Sequence, residues 1–314
     1  MKTKLKNKKI LITGHTGFIG SWLFYFLRKK IKNVYGIGLK PKNSINLYNQ
    51  LNFQDLKNSK IINILNKKNL NNHIKKIKPN IIIHLAAESL VLNSFINPNR
   101  TYNTNINGTL NILDLIKKYK FIKTCIFFTT DKVYQNIDLR KKFVETDPLN
   151  GDDPYSGSKA ASEIVINSYS KSFLKDKKII ILRSGNIIGG GDNSKNRIIP
   201  DIIKSIKSKK TLYVRNPTSI RPWQYITDTI NIIFNILKKV DDKSNFLRAY
   251  NIAPNSKTKN VNYIITKFKL FFKFKTKFKK YIRNEKKFLE LNSLKLKKEL
   301  NIENKYTCSQ SIKK

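Results

Sequence analysis

The sequence predicts an α/β fold, in which a doubly wound parallel sheet is joined to a smaller, interleaved second domain. In the amino-terminal half, short apolar runs typical of buried strands alternate with segments of helical periodicity. The first of these runs leads directly into a stretch with three glycines, at 14, 17 and 20, and then into a helical pattern. Strands separated by helices pair in parallel, which is the basis of the prediction.

The predicted elements follow in chain order. Strand patterns occupy 8–14 (KKILITG), 33–39 (NVYGIGL), 80–87 (NIIIHLAA) and 124–130 (TCIFFTT), and helical patterns occupy 21–30 (SWLFYFLRKK) and 103–119. Beyond about residue 185 the alternation loosens into the segments RIIPDIIKSIKS (197–208) and TLYV (211–214), a helix near 226–240 and an amphipathic helix from Val261. We therefore predict a sheet domain over 1–185 and a ligand-binding domain over 186–314, with 225–254 returning to the sheet domain.

The formal net charge of +43 raises the question of nucleic acid binding. Of the 63 basic residues 54 are lysine, and they are spread along the chain together with abundant Asn, Ile, Phe and Tyr. These residues share codons rich in A and T, so a drift in composition explains the charge better than a nucleic acid partner does. A protein that reads bases would be expected to keep arginine.

Cysteine spacing and apolar run lengths restrict the class of protein further. The two cysteines have neither metal-ligand nor disulfide spacing. The apolar stretch after residue 9 is too short for a signal peptide, and no apolar run approaches membrane-spanning length. The sequence therefore predicts a cytoplasmic protein with no bound metal and no membrane insertion.

The glycine stretch TGHTGFIG, at 13–20, lies between a strand and a helix. Glycines at 14, 17 and 20 permit a tight turn and a close approach to a pyrophosphate, while the helix N-terminus supplies amide donors. The stretch predicts dinucleotide binding by a Rossmann-type domain; the alternative is a turn with no ligand. Lys40 stands where an acid would hold the ribose hydroxyls, so the choice between NAD and NADP stays open.

Two further segments carry groups suited to acid–base chemistry. TTDKVY, at 129–134, ends a buried strand with two hydroxyls, an acid and an amine. PYSGSK, at 154–159, places Tyr155 and Lys159 one helical turn apart, where an ammonium can lower the pKa of the phenol towards the range of a general base. The alternative for the first segment is a strand-end cap with a solvated surface pair.

Taken together, these motifs resemble the CDP-glucose 4,6-dehydratases, which are extended short-chain dehydrogenase/reductases. The resemblance covers residues 8–254 and rests on TGHTGFIG, HLAA (84–87), TTDKVY, YSGSK, GNIIGGGD (185–192), RIIPD (197–201) and RNPTSIRPWQ (215–224). The first four motifs are common to the wider dehydratase and epimerase group. The lysine of TTDK, the triple glycine and the last motif resemble the CDP-glucose branch in particular.

The resemblance implies a reaction in which CDP-glucose becomes CDP-4-keto-6-deoxyglucose and a nicotinamide cofactor, NAD, ends as it began. It implies that Tyr155 removes the proton of the sugar 4-hydroxyl and that Lys159 holds the nicotinamide ribose. Thr130 corresponds to the hydroxyl that binds the 4-oxygen, Asp131 to the acid that protonates the 6-hydroxyl, and Lys132 lies beside it. Related dehydratases have glutamate at that last position, so we hypothesise that a neutral Lys132 is the C5 base or orders a water that is. This role requires a pKa well below about 10.4.

Binding residues are implied in the same way. The implied cofactor-binding residues, besides Tyr155 and Lys159, are Gly14, His15, Thr16, Gly17, Phe18, Ile19, Gly20, Leu85, Ala86, Ala87 and Asn105. The implied substrate-binding residues are Asn186, Arg197, Arg215 and Arg221. The alternatives are a core or capping role for Asn105, packing for Trp223, and structural roles for Asn186 and Arg197; we expect His84 to be structural.

The resemblance also implies a homodimer that pairs the helices starting near Asn103 and Tyr155. The family usually continues beyond SQSIKK through a final helix, which leaves the activity of this chain open. The segment at 268–281 alternates Phe and Lys, and we expect a helix that runs into an amphipathic edge strand rather than a membrane-surface segment. The competing functions are a related NAD-dependent epimerase or dehydratase acting on another nucleotide sugar, and a shortened, inactive basic binding protein on the same fold. The acid at 131 favours dehydration, since water loss needs a proton donor near C6.

Overall fold

The computed structural model describes residues 5–41, 45–138, 140–240, 245–254, 256–278 and 286–314. The strands in these ranges are β1 (Ile10–Thr13), β2 (Val34–Gly38), β3 (Ser59–Ile61), β4 (Ile81–His84), β5 (Thr124–Thr130), β6 (Lys142–Phe143), β7 (Lys178–Ser184), β8 (Ile187–Ile188), β9 (Leu212–Val214), β10 (Ile220–Arg221), β11 (Gln224–Tyr225), β12 (Phe246–Ile252), β13 (Lys259–Asn260), β14 (Thr276–Phe278) and β15 (Glu290–Leu291). The α-helices are α1 (Phe18–Arg28), α2 (Leu47–Gln50), α3 (Lys67–Ile77), α4 (Val91–Ile96), α5 (Pro98–Tyr102), α6 (Gly108–Lys118), α7 (Pro154–Phe173), α8 (Ile198–Ser208), α9 (Ile226–Lys239), α10 (Val261–Lys269), α11 (Leu294–Leu300) and α12 (Cys308–Lys313).

Seven of the strands form one parallel sheet, in the order β3, β2, β1, β4, β5, β7, β12. The order changes direction between β1 and β4, because the chain builds outwards from β1 first on one side and then on the other. The predicted α/β class with a doubly wound parallel sheet is therefore confirmed. In such sheets, ligands bind beyond the carboxyl ends of the strands where the order changes.

Helices cover both faces of this sheet. Alternate residues of β1 show why, because Ile10 and Ile12 join a core cluster with α1 and α9, whereas Leu11 joins a second cluster with α3, α6 and α7. Successive side chains of a strand point to opposite faces, so a strand buried on both faces reads as a continuous apolar run.

The predicted helix at 103–119 differs from the observed one at its amino-terminal end. The helix begins earlier, at Pro98, and passes through a π-helical turn at Asn103–Asn107 before α6. Single π-turns inside α-helices are frequent at functional sites. Spacing in the sequence does not reveal the extra residue of such a turn.

The described residues after 186, apart from the segment with α9 and β12, form a second region. This region packs α8, β9, α10 and α12 around the buried side chain of Trp223. The predicted change from helix to strand in the Phe/Lys segment is confirmed, since α10 ends at Lys269 and β14 pairs with β9; residues 279–281 lie outside the described ranges. The segment that includes α9 and β12 runs back to the main sheet, where β12 pairs with β7. No helix within the described ranges is long and apolar enough to cross a bilayer.

Candidate active site

A cleft of about 780 Å³ opens at the carboxyl ends of the central strands. The predicted site residues in its walls are Ile19, Leu85, Ala87, Thr130, Asp131, Lys132, Tyr155, Lys159, Asn186, Arg197, Arg215 and Arg221. The other predicted site residues, which lie beside or behind these walls, are Gly14, His15, Thr16, Gly17, Phe18, Gly20, Ala86 and Asn105. The fold thus brings the two acid–base motifs, far apart in sequence, to one cavity.

The loop between β1 and α1, residues 14–17, has the shape that a pyrophosphate site requires. We call it the glycine loop. Gly14 has a φ of +75°, and a Cβ at this position would lie 2.7 Å from the backbone nitrogen of Ala86. Helix α1 begins after Gly17, and no side chain in the described residues caps it. Its first-turn amides are therefore suited to an anionic ligand. These residues fit the phosphates of a dinucleotide.

Two residues of this loop point into the protein rather than into the cleft. The buried His15 ring lies against Gly36, and its Nε2 is 2.7 Å from the Ser59 hydroxyl. Burial lowers the pKa of His15 to about 4, so the ring is neutral at neutral pH. Thr16 contacts Gly38 at the end of β2. Both side chains support the loop from below.

The segment at 153–159 forms the start of α7 for local reasons. The Asp153 side chain accepts a hydrogen bond from the Ser156 backbone at 3.0 Å, and Pro154 occupies the first helical position. An aspartate cap followed by proline is a strong helix start. Tyr155 and Lys159 consequently lie one turn apart on the face that lines the cleft. Lys159 Nζ donates to the Phe128 carbonyl at 2.9 Å, which ties this turn to β5.

The expected pKa of Tyr155 was wrong in direction. Burial raises the pKa of Tyr155 to about 12, and the smaller opposing effects come from contact with Thr130 and from the charge of Arg197. Burial also lowers the pKa of Lys159 to about 8. Spacing alone indicated a neighbouring ammonium, but burial is the largest influence on the pKa of each of the two groups.

Thr130 is the last residue of β5, and Asp131 and Lys132 follow it in a short 3₁₀ turn, Asp131–Val133. The Thr130 hydroxyl donates to Asp131 Oδ1 at 3.1 Å, whereas Oδ2 is buried without a hydrogen-bond partner in the described structure. Burial raises the pKa of Asp131 to about 6, against the opposing charges of Lys132 and Arg221. A carboxyl group whose pKa is raised towards neutrality is suited to donate a proton.

The raised pKa of Asp131 should be visible in the stability of the protein. The folded state holds this proton up to about pH 6 and the unfolded state only to about 3.8, so stability falls as pH rises through this window. We expect Asp131→Asn, which lacks the titration, to gain on the order of 3 kcal/mol relative to the wild type between pH 4 and pH 7. Urea unfolding at several pH values measures the difference, and parallel profiles for the two proteins would contradict the assignment.

Asn105 and His84 connect elements behind the cleft. The Asn105 side chain accepts from the Glu88 backbone at 2.9 Å and donates to the Ser158 hydroxyl at 2.8 Å. It thereby joins the π-turn to α7 and to the segment after β4. His84 lies between the hydroxyls of Thr13 and Thr109, and burial lowers its pKa to about 3. These contacts match the structural alternative for Asn105 and the expectation that His84 is structural.

The four predicted substrate-binding residues all line the cleft, and the three arginines among them bind partners through their side chains. Arg197 forms an ion pair with Asp192 at 3.2 Å, and Arg215 donates to the Asn196 carbonyl at 3.0 Å. Arg221 donates to the carbonyl oxygens of Ile220 and Lys286 at 2.7 and 2.9 Å. The guanidinium of Arg221 therefore holds the second region together as well as facing the cavity.

Sequence reasoning missed a buried ion pair behind the cleft. Arg183 of β7 donates to Glu163 of α7 with an Nη2–Oε2 distance of 2.6 Å. The same carboxylate accepts from the Thr129 hydroxyl at 2.6 Å, and Arg183 also donates to the Tyr134 hydroxyl at 2.9 Å. The ion pair fixes α7 against β7, and the Thr129 contact fixes it against β5, whose next residue is Thr130. An arginine within an isoleucine strand was the available signal.

Comparisons with known proteins agree with this geometry. The family model described as GDP-mannose 4,6 dehydratase matches residues 11–314. The chain is 34% identical over 271 residues to a CDP-glucose 4,6-dehydratase of Salmonella typhimurium, covering 83% of this chain and 76% of that protein. It is 34% identical over 279 residues to a dTDP-D-glucose 4,6-dehydratase of Dictyostelium discoideum, covering 83% of this chain and 62% of that protein. A dTDP-glucose 4,6-dehydratase from Bacillus anthracis, solved in complex with NAD, superposes with a TM-score of 0.80 at 27% identity, covering 97% of this chain and 94% of that one.

Proposed function

This chain belongs to the GDP-mannose 4,6 dehydratase family, and from that premise we propose that it is a nucleotide-sugar 4,6-dehydratase that converts CDP-glucose to CDP-4-keto-6-deoxyglucose. The observation that carries the proposal is the meeting of Thr130, Asp131, Lys132, Tyr155 and Lys159 in one cleft. The name of the Salmonella relative supports CDP-glucose as the substrate. The sequence features typical of the CDP-glucose branch, described above, point to the same nucleotide.

We propose NAD as the cofactor, with NADP as the alternative that Lys40 leaves open. The B. anthracis relative was solved with NAD, and the glycine loop and the uncapped start of α1 fit its phosphates. Bound there, NAD would supply the hydride transfer that oxidises C4 of the sugar and later reduces C6. Leu85, Ala87 and Ile19 would border it in the cleft, since they line the wall nearest the loop.

The residues of the chain supply the proton transfers. Tyr155 acts as a phenolate, a form that the positive charge of the nicotinamide ring in bound NAD would favour against the effect of burial. It accepts the proton of the 4-hydroxyl, and Thr130 holds the 4-oxygen. A ketone at C4 then makes the C5 proton acidic. Asp131 donates its proton to the departing 6-hydroxyl, which leaves as water, and Lys132, directly or through a water, removes the C5 proton. When hydride is added at C6, the same group returns a proton to C5, which completes the 4-keto-6-deoxy sugar. Epimerisation requires no donor near C6, so the buried acid at 131 favours dehydration.

The direct test incubates the purified chain with NAD and a panel of CDP-, dTDP-, UDP- and GDP-glucose. We expect a product that has lost one water, as measured by mass, from CDP-glucose at a higher kcat/KM than from the others. A product of unchanged mass with an inverted centre would favour an epimerase instead. If no nucleotide sugar is converted and the chain binds DNA with a strong salt dependence, the alternative of a basic binding protein gains support.

We also propose that the chain forms a homodimer through α5, α6 and α7. Large apolar side chains on these helices are exposed, namely Tyr102 at 40%, Ile164 at 59% and Phe173 at 50%. Two such helix pairs can bury these side chains in a four-helix bundle. The cytoplasmic location stays a prediction from the sequence.

We expect a dimer in sedimentation at micromolar concentration, and a shift to monomer for Ile164→Glu, because the substitution places a charge in the apolar bundle. Leu294→Glu is the matched control, since Leu294 is 46% exposed on α11, away from these helices. A monomeric wild type, or equal effects of the two substitutions, would contradict the dimer.

A further inference from the structure

The loop that follows β8 extends towards the cofactor-binding side of the molecule. It contains three successive glycines, Gly189, Gly190 and Gly191, followed by Asp192 and Asn193. We call residues 189–193 the glycine strap. None of the proton transfers described above uses its contacts.

Two side-chain hydrogen bonds attach the glycine strap to the sheet domain. Trp22 of α1 donates from Nε1 to the Gly190 carbonyl at 2.8 Å. Asn193 donates from Nδ2 to the Ile45 carbonyl at 2.6 Å, just before α2. The attachments therefore lie on either side of Gly191 and Asp192. Trp22 belongs to α1, the helix that follows the glycine loop, and Ile45 lies between β2 and α2.

The glycine strap lies over the first turn of α1. A Cβ at Gly189 would be 3.7 Å from Cζ of Phe18, the first residue of that helix. Gly189 and Asp192 line the same cleft as Ile19, one residue further along α1. The first turn of α1 is where the phosphates of a dinucleotide bind in this kind of domain. The strap thus borders the path of such a ligand.

The backbone of the strap distinguishes two of its glycines. Gly191 has a φ of +87°, and a Cβ there would lie 3.0 Å from a methyl carbon of Leu47, so a side chain at this position would be strained. A Cβ at Gly190 has no described heavy atom within 4 Å. Gly190→Ala is therefore tolerated sterically and keeps the carbonyl that Trp22 binds. It is a matched control within the strap.

We propose that the glycine strap, attached by Trp22 and Asn193, closes over the bound nicotinamide dinucleotide and must detach before that cofactor leaves. The proposal rests on the proposed function, because it takes a dinucleotide as the ligand of the glycine loop. Release then depends on how often the two hydrogen bonds open together, as for other active-site lids. Trp22 and Asn193 are positioning residues, which hold the strap and do not react.

The experiment measures cofactor release rather than turnover. The full chain is loaded with radiolabelled NAD, chased with excess unlabelled NAD, and the retained label is followed by rapid ultrafiltration. Trp22→Phe and Asn193→Ala should each speed release about two- to tenfold, the range expected for one lost hydrogen bond. The double variant should show the product of the two effects. Gly190→Ala should release NAD at the wild-type rate.

Thermal unfolding separates loss of the attachments from loss of the fold. Asn193 lies in a surface loop, so Asn193→Ala tests the proposal even if Trp22→Phe unfolds more easily. Wild-type release rates in both single variants and the double variant would overturn the strap, as would equal acceleration by Gly190→Ala. A wild-type chain that binds neither NAD nor NADP would overturn the proposed function, and the strap with it.

Discussion

Tyr155→Phe is expected to lower the turnover of CDP-glucose by about 10²- to 10⁴-fold, the range typical of a lost general base. The substitution removes one oxygen from a buried ring whose packing stays the same. Because Tyr155 acts on a proton and does not hold the nucleotide, the Kd for CDP-glucose should stay within about twofold of the wild type. Steady-state kinetics and calorimetric titration measure the two quantities.

Tyr169→Phe is the matched control, because Tyr169 lies on the same helix, outside the cleft walls, and donates to Asp114 at 2.5 Å. It should retain wild-type turnover. Substantial turnover in Tyr155→Phe would remove the tyrosine from the mechanism. Weak binding of CDP-glucose together with normal turnover at saturation would instead indicate a substrate contact.

Lys132→Met is expected to stop dehydration and to block exchange of solvent deuterium into C5. Oxidation at C4 needs Tyr155 and Lys159 rather than Lys132, so the variant should still show a transient rise in NADH absorbance. The half-buried Lys132 follows directly after Asp131 and lines the same cleft. An acid and a base are thereby adjacent at the end of β5, as elimination across C5 and C6 requires.

Lys195→Met provides the comparison, since Lys195 lines the same cleft but belongs to the loop after the glycine strap. It removes one positive charge from the cavity without touching the β5 turn, and should keep dehydration and C5 exchange. Dehydration by Lys132→Met at the wild-type rate would make the lysine a bystander, and the C5 base would then lie elsewhere in the cleft.

The parts of the fold that depend on local sequence were predictable. The run ILIT forms β1 because all four residues are apolar or small and buried on both faces, and the glycines after it permit only a narrow set of turns. The start of α7 was equally predictable, since an aspartate cap and a proline precede Tyr155. These signals lie within a few residues of the elements that they determine.

The rest depends on contacts between distant segments. Three sets of contacts join segments that are far apart in the sequence. They are the Glu163–Arg183 ion pair, the hydrogen bond from Arg221 to the Lys286 carbonyl, and the attachments of the glycine strap. The prediction of a lowered pKa for Tyr155 was wrong for the same reason. Burial raises this pKa, and burial is a property of the whole cleft rather than of a four-residue spacing. The one general signal in the sequence was the presence of a few arginines in a lysine-rich chain, since Arg183 and Arg221 make two of these contacts.

The central claim is that one active site moves the hydrogen of C4 to C6 while water is lost. CDP-glucose deuterated at C4, incubated with the chain and NAD, measures this transfer directly by mass spectrometry and NMR of the product. The account predicts a 4-keto-6-deoxy sugar that carries the deuterium at C6. A product that keeps its 6-hydroxyl and returns deuterium to C4 would contradict it.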